Sequence, residues 1–271
     1  MATAPLNSNA DSANKMIVVT TSWDDDHRSN LKLAELLAAR GLPGTFYVNT
    51  GRLGEHSALS PTELRGLLDA GFEIGAHTVT HHVLSRLNLR DLAREVVECK
   101  NVLEEILGEE VTSFAYPKGR YNTEVIAQVK AAGYHGARGV RLLSLSCTFP
   151  QFEMPTTIQA YPHRKTGYVK NLVRRYELGS LLRSSLLIGT SKSWLELGKA
   201  LFDRAVRDGG AWHLWGHAWE TERIGGWLEL EEMLDYVSGR QSQGVQYLTN
   251  AELFELARSR NVTAAARESH A

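Results

Sequence analysis

A chain of 271 residues, 43% apolar and 23% charged, has the balance of a globule able to bury a substantial core, which excludes a fibrous or disordered chain. Its 30 Lys and Arg against 31 Asp and Glu leave a formal net charge of -1, so nothing marks nucleic acid or an anionic membrane surface as the partner. Two cysteines, Cys99 and Cys147, exclude a disulfide framework, and no apolar run approaches the ~20 residues of a membrane span.

In chain order, the polar opening MATAPLNSNADSANK contains no apolar signal segment, which gives the expectation of a disordered stretch over 1–15 and a cytoplasmic location. Residues 16–23, MIVVTTSW, form a β-branched run that breaks into acids and read as a buried strand. Leu31, Ala34, Leu37 and Ala38 share a helical face, and Gly41 with Pro43 ends that helix. GTFYVNT is the next strand, a capped helix starts after Ser60, FEIGAH is a strand, and Arg90 to Leu107 is a long amphipathic helix closed by Gly108. TSFAYP, a helix over Thr123 to Ala132, YHGAR and TTIQAYP follow. From Leu142 to Ser191 the pattern is irregular, and this stretch is expected to shape a substrate pocket. A helix over Trp194 to Arg207, the strand AWHLWGH, a helix over Trp227 to Gln241, the strand GVQYLT and a helix over Ala251 to Arg258 complete the chain.

Seven or eight strand–helix units call for parallel strands with right-handed crossovers. The fold expected is therefore α/β, a distorted (β/α)7-8 barrel, as a single domain over 16–260 with a flexible tail at 261–271. In such a barrel the working side chains gather on loops at the carboxyl ends of strands. Four polar clusters meet that expectation: Asp24 to Asp26, His77 to His82, Tyr116 to Arg120, and His217.

His77 and His81 in HTVTH stand four apart, which puts both imidazoles on one side of a turn, where they can share a cation. Taken alone, the motif is equally a surface turn. The three adjacent carboxylates Asp24, Asp25 and Asp26 change the balance. A helix dipole accounts for one of them, but three after a buried strand repel one another unless a cation or proton relieves them. Two imidazoles and a carboxylate leave open coordination positions, the arrangement of a catalytic metal. Zinc comes first, with cobalt, nickel, manganese or iron also compatible with these ligands.

TSWDDD, GAHTVTH, FAYPKGRYN and HLWGH, in that order, resemble the motifs of the polysaccharide deacetylase family, also called carbohydrate esterase family four or the NodB-homology family. The likeness runs from about Ile17 to Leu256. It implies that Asp24 is the catalytic base, that Asp25, His77 and His81 bind a divalent metal, that His217 protonates the leaving amine, and that the Lys118 backbone N–H belongs to the oxyanion hole. Two positions depart from the family pattern. Ala115 stands where many members carry an Arg that orients the catalytic Asp, leaving Arg138 and Arg120 as candidate replacements, and Asp26 stands in place of a Gly. Tyr116, Arg120, Arg138, Trp215 and Trp219 are candidate substrate-binding residues, the tryptophans as stacking surfaces for a sugar. His27 and His82 are candidates to support the ligands, while His135, His163 and His213 read as non-catalytic.

The activity implied is removal of an N-acetyl group from an amino sugar, in a cytoplasmic glycoconjugate precursor, nucleotide sugar or sugar-containing metabolite. Deformylation or the opening of a cyclic imide or ureide is the rival within hydrolases. Outside them, the rival is a sugar-binding module without turnover. Neither the acceptor sugar nor the oligomeric state is legible.

Overall fold

All eight positions of β1 (Ile17–Asp24) are buried, as a strand covered on both faces by the rest of the fold must be. The computed structural model describes residues 15–164, 166–168 and 187–268. After β1 come α1 (Ser29–Ala38), β2 (Thr45–Val48), α2 (Pro61–Asp69), β3 (Glu73–Ala76), α3 (Leu89–Leu107), β4 (Ser113–Ala115), α4 (Thr123–Ala131), β5 (Gly136–Arg138) and β6 (Ile158–Gln159). Then follow α5 (Trp194–Asp208), β7 (Gly210–Gly216), α6 (Ala218–Arg223), α7 (Trp227–Val237), β8 (Val245–Tyr247) and α8 (Asn250–Glu268). Among these residues no helix is long and apolar enough to cross a membrane.

Every strand pairing is parallel, in the order β5, β4, β3, β2, β1, β7, β6. β8 pairs with Ile17–Val19 of β1, and β2 with Ser22–Asp24, so the two share one edge of the central strand at different heights. The two ends of the series are joined by the chain between them. Met154 donates its N–H to the Ala137 carbonyl, Gly139 donates to Met154, and Thr157 donates to the His213 carbonyl, each at 3.0 Å. The segment around 151–160 thus runs between β5 and β7 and closes a distorted barrel of the expected class. Its interior and helix-facing layers are filled by large side chains that include Trp23, Phe46, Leu33, Leu37, Phe114, Phe202 and Trp212.

Differences from the expected elements have local causes. α6 is a six-residue helix that the WGHAWE stretch hides, because one and a half turns give too few positions for a period to show. β6 is two residues long, although Thr157 and Ala160 on either side of it continue the bonding to β7 through the His213 and Trp215 carbonyls. α8 continues past Arg258 to Glu268, into the stretch read as a tail. The opening segment read as disordered lies, except for Lys15, outside the described residues, as does much of the irregular stretch between Tyr168 and Leu187.

Candidate metal centre and active site

β1 ends at Asp24 and the chain turns at once, with Asp25 in the left-handed region at φ 74°. Asparagine, aspartate and glycine tolerate that region best, and here Asn30 of α1 donates to the Asp25 carbonyl at 2.9 Å. β3 ends at Ala76, and the next five residues form the second loop. His77 is buried; Thr78 and His81 take φ values of 72° and 59°. β7 ends at Gly216, and His217 precedes the first residue of α6. Three strand ends therefore deliver their side chains to one place, the carboxyl rim of the barrel.

One ligand atom from each of Asp25, His77 and His81 lies within 4.8 Å of the others. His77 Nδ1 is 2.7 Å from the Ala115 carbonyl oxygen. That oxygen can only accept, so Nδ1 carries the proton and Nε2 presents its lone pair. Nε2 is buried and has no hydrogen-bond partner within the protein, an arrangement that costs free energy unless an electrophile faces it. Burial lowers the imidazole to about 4 against the raising pull of Asp24 and Asp25, so it is neutral at ordinary pH. The donor set and the orphaned nitrogen fit a divalent cation. His81 Nε2 stands 3.9 Å from Asp25 Oδ1.

Asp24 lies beside this cluster, with Oδ2 3.9 Å from His77 Nε2 and Oδ1 taken by the guanidinium of Arg138. Burial pushes its carboxyl up, but the charges of Arg138, His77 and His217 outweigh this and hold it below the usual carboxylate range. Arg138 is fully buried, sandwiched between the rings of Tyr47 and Trp215 at 5.0 and 5.2 Å, and its Nη1 donates to the Gly139 carbonyl. Its Cα pairs with that of Ala115 across β4 and β5. Of the two replacements expected for the missing arginine, Arg138 is the one that reaches the aspartate, from the neighbouring strand at the same height. Arg120 is exposed and lines neither lobe of the cleft.

His217 Nδ1 is 2.6 Å from Glu220 Oε2, and Nε2 is 3.9 Å from Asp25 Oδ2. Burial alone would lower its imidazole, yet the bond to Glu220 with the charges of Asp24 and Asp25 raises it. Glu220 is the partner that the sequence reading lacked. Its signal was the three-residue spacing in HAWE, which puts it one helical turn from His217. Trp219 donates Nε1 to Asp25 Oδ2 at 2.8 Å, while its ring lines the cleft and carries Arg223 at 5.0 Å.

The cleft has two lobes that share Asp25, His81 and Trp219. One, of about 430 Å³, is walled by Asp26, His27, Asn49 and Arg52. The other, of about 470 Å³, is walled by Asp24, Lys118, Leu142, His163, Trp215 and His217. Lys118 stands at φ 57° in the turn after β4. Among the candidate substrate contacts, Trp215 and Trp219 line the cleft. Tyr116 and Arg138 do not, since both are fully buried, Tyr116 with its hydroxyl on the Phe152 carbonyl. Asp26, beside the ligands, has its carboxyl raised by burial and keeps Oδ2 unpartnered. His27 Nδ1 lies 2.8 Å from Ser29 Oγ, and His82 is mostly exposed.

Residues 11–137 match the family model described as polysaccharide deacetylase. A chitin deacetylase of Pestalotiopsis is 29% identical over 105 residues, which cover 38% of this chain and 35% of the relative. A chitooligosaccharide deacetylase of Sinorhizobium fredii is 28% identical over 103 residues, 38% of this chain and 46% of the relative. The chain spans less than half the length of the curated relatives it matches. A solved structure from Mycobacterium smegmatis, a candidate polysaccharide deacetylase, superposes with a TM-score of 0.66 at 18% identity over 92% of this chain and 93% of its own. At that identity the likeness speaks for the fold alone.

Proposed function

On the premise that this chain is a relative of the polysaccharide deacetylases, matched over residues 11–137, we propose that it hydrolyses the N-acetyl group of an amino sugar with the help of a divalent metal, zinc first. Asp25, His77 and His81 are the proposed ligands. The observation that carries the reading is His77, whose Nδ1 is committed to a carbonyl while its buried Nε2 faces a carboxylate and a second imidazole without a partner of its own. A divalent ion held there supplies Lewis-acid polarisation of the amide carbonyl and acidifies the attacking water.

The residues around that centre divide the proton work. Asp24 Oδ2 takes the proton of the water as its oxygen attacks the acyl carbon, and Arg138 keeps that carboxylate ionised and oriented through Oδ1. The backbone N–H of Lys118 donates to the oxygen on which negative charge develops. His217, raised by Glu220, gives its proton from Nε2 to the nitrogen as the C–N bond breaks, so acetate and a free amine leave. Trp215 and Trp219 offer flat faces to the sugar. The acceptor proposed is a soluble one, a glycoconjugate precursor, nucleotide sugar or sugar-containing metabolite. The cytoplasmic location proposed with it is supported by Cys99 and Cys147 both being free thiols.

Elemental analysis of the wild type beside Asp25→Ala and His77→Ala, paired with an acetate-release screen, tests this. Metal is expected in the wild type and lost in both variants. Asp24→Asn should keep its metal and lose activity by about 10²- to 10⁴-fold. Formate or a ring-opened product in place of acetate would move the reading to another amide hydrolysis. Activity on polymer but not on soluble N-acetyl sugars would overturn the acceptor. A protein that binds sugar with neither metal nor turnover would end the enzymatic account.

A further inference from the structure

We propose that Glu95 is the positioning residue of the metal centre: its carboxylate, reaching up from α3, clamps the backbone of the turn that carries His77 and His81. The inference rests on the reading of Asp25, His77 and His81 as ligands.

The turn has a geometric task that its sequence does not make easy. Two imidazoles four residues apart must face one point, and the chain achieves this by placing Thr78 and His81 in the left-handed region. Neither is glycine, and Thr78 is β-branched and fully buried. Such conformations persist only where the surroundings over-determine them. Here the backbone of the turn is tied on both sides. Its carbonyls face the loop after β2: Asn49 donates its side-chain amide to His77, Thr50 N–H to Thr78 at 3.2 Å, and Gly51 N–H to Val79 at 2.8 Å. A Cβ at position 51 would stand 2.6 Å from that last oxygen, so the approach requires glycine.

The N–H groups turn the other way and converge on one carboxylate. Val79 and Thr80 both donate to Glu95 Oε2, at 2.9 and 2.8 Å, and the Thr80 hydroxyl donates to Oε1 at 2.5 Å. Glu95 is 1% exposed, and it sits between Leu92, Val96 and Cys99 on the apolar face of α3. A carboxylate there has given up water, and the three donors of the turn replace it. Its place breaks the helix pattern for packing but suits a clamp. Release of the clamp frees His81 more than His77, because His77 Nδ1 is also held by the Ala115 carbonyl whereas the His81 ring is about one-third exposed. The predicted consequence is a weakened metal site on a barrel that still folds.

Zinc titration of the full chain against a competing chelator, with the melting temperature of the metal-free protein measured alongside, tests the clamp. Glu95→Ala is expected to bind zinc about 10- to 100-fold more weakly than wild type, the range for loss of a group that orients a ligand. Glu95→Gln should stay close to wild type, because its amide oxygen still accepts from both N–H groups and its NH₂ can donate to the Thr80 hydroxyl. Folded Glu95→Ala with wild-type zinc affinity, even at a lowered melting temperature, would reduce the residue to a packing role and overturn the proposal. Should Glu95→Ala fail to fold, Glu95→Leu, which fills the same apolar site without accepting from the turn, decides: weaker zinc binding supports the clamp and unchanged binding overturns it. A wild type that binds no zinc would instead overturn the metal reading itself.

Discussion

Ala115 and Arg138 show how sheet register can bring a cation to a buried carboxylate from the neighbouring strand. A buried aspartate needs a cation to remain ionised, and β4, which ends in Ala115, supplies none. Because Ala115 and Arg138 are paired across the sheet, an arginine on β5 occupies nearly the same height and reaches Asp24 from the side. The need for a substitute was legible in the motif, but the choice between Arg138 and Arg120 was not, since sheet register is set by packing that a single sequence does not display. The same holds for Glu220 and Trp219, whose partners His217 and Asp25 are named by motifs while the contacts come from α6. Asp24, held below the usual range chiefly by Arg138 against the cost of burial, must be ionised to act as the base proposed above. Removing the guanidinium takes away the lowering influence, so the carboxyl rises and protonates at higher pH. For Arg138→Gln we therefore expect the acid limb of the kcat–pH profile to move to higher pH and the neutral-pH rate to fall, with metal content retained. An acid limb identical to that of the wild type would show that Arg138 does not tune Asp24.

Elements were legible where local chemistry alone decides them. Ser60 before Pro61 and Glu63 reads as a helix start, and the structure forms the full reciprocal box: the Ser60 hydroxyl accepts from Glu63 N–H at 3.2 Å and Glu63 accepts from Ser60 N–H at 2.8 Å. Gly108 ends α3 at φ 77°, as a left-handed cap requires. Strand ends were less legible, because β4, β5 and β6 are two or three residues long and continue as single bonds between loops. Over 142–155, such bonding between loops replaces periodicity, and Leu142, Gln159 and His163 of the irregular stretch line the cleft. The cap gives a prediction at this scale. Ser60→Ala leaves the Glu63 N–H without its side-chain acceptor, and should lower stability by about 1 kcal/mol. A urea transition would show a reduced midpoint with an unchanged slope, and equal midpoints would mean that water caps this end equally well.

At the scale of the whole barrel, closure depends on the place where β1, β7 and the 151–160 segment meet, and His213 stands in it. Its Nε2 lies 2.8 Å from Ser22 Oγ, its N–H donates to the Thr157 hydroxyl at 3.0 Å, and its carbonyl accepts from Thr157 N–H. Burial lowers this imidazole to about 3, with Arg138 adding to the effect. Unfolded, it returns to 6.5. Between those values the unfolded chain binds a proton that the fold refuses, so the neutral histidine contributes stability that is complete above pH 6.5 and is lost as pH falls toward 3. The slope from one such group is about 1.4 kcal/mol per pH unit, or about 2 kcal/mol between pH 7.5 and 5. His77, lowered to about 4, adds to this loss in the metal-free protein. Glu73, whose carboxyl burial raises, works in the opposite direction from 4.5 upward, because there the fold holds the extra proton. The contribution of His213 is thus isolated by comparison with His213→Gln, which keeps polarity without a proton to gain. The variant should be less stable than wild type at pH 7.5, and the gap should narrow by about 2 kcal/mol at pH 5. Urea midpoints for both proteins at the two pH values measure that gap, and a gap that stays constant would mean that His213 already takes up its proton within the fold.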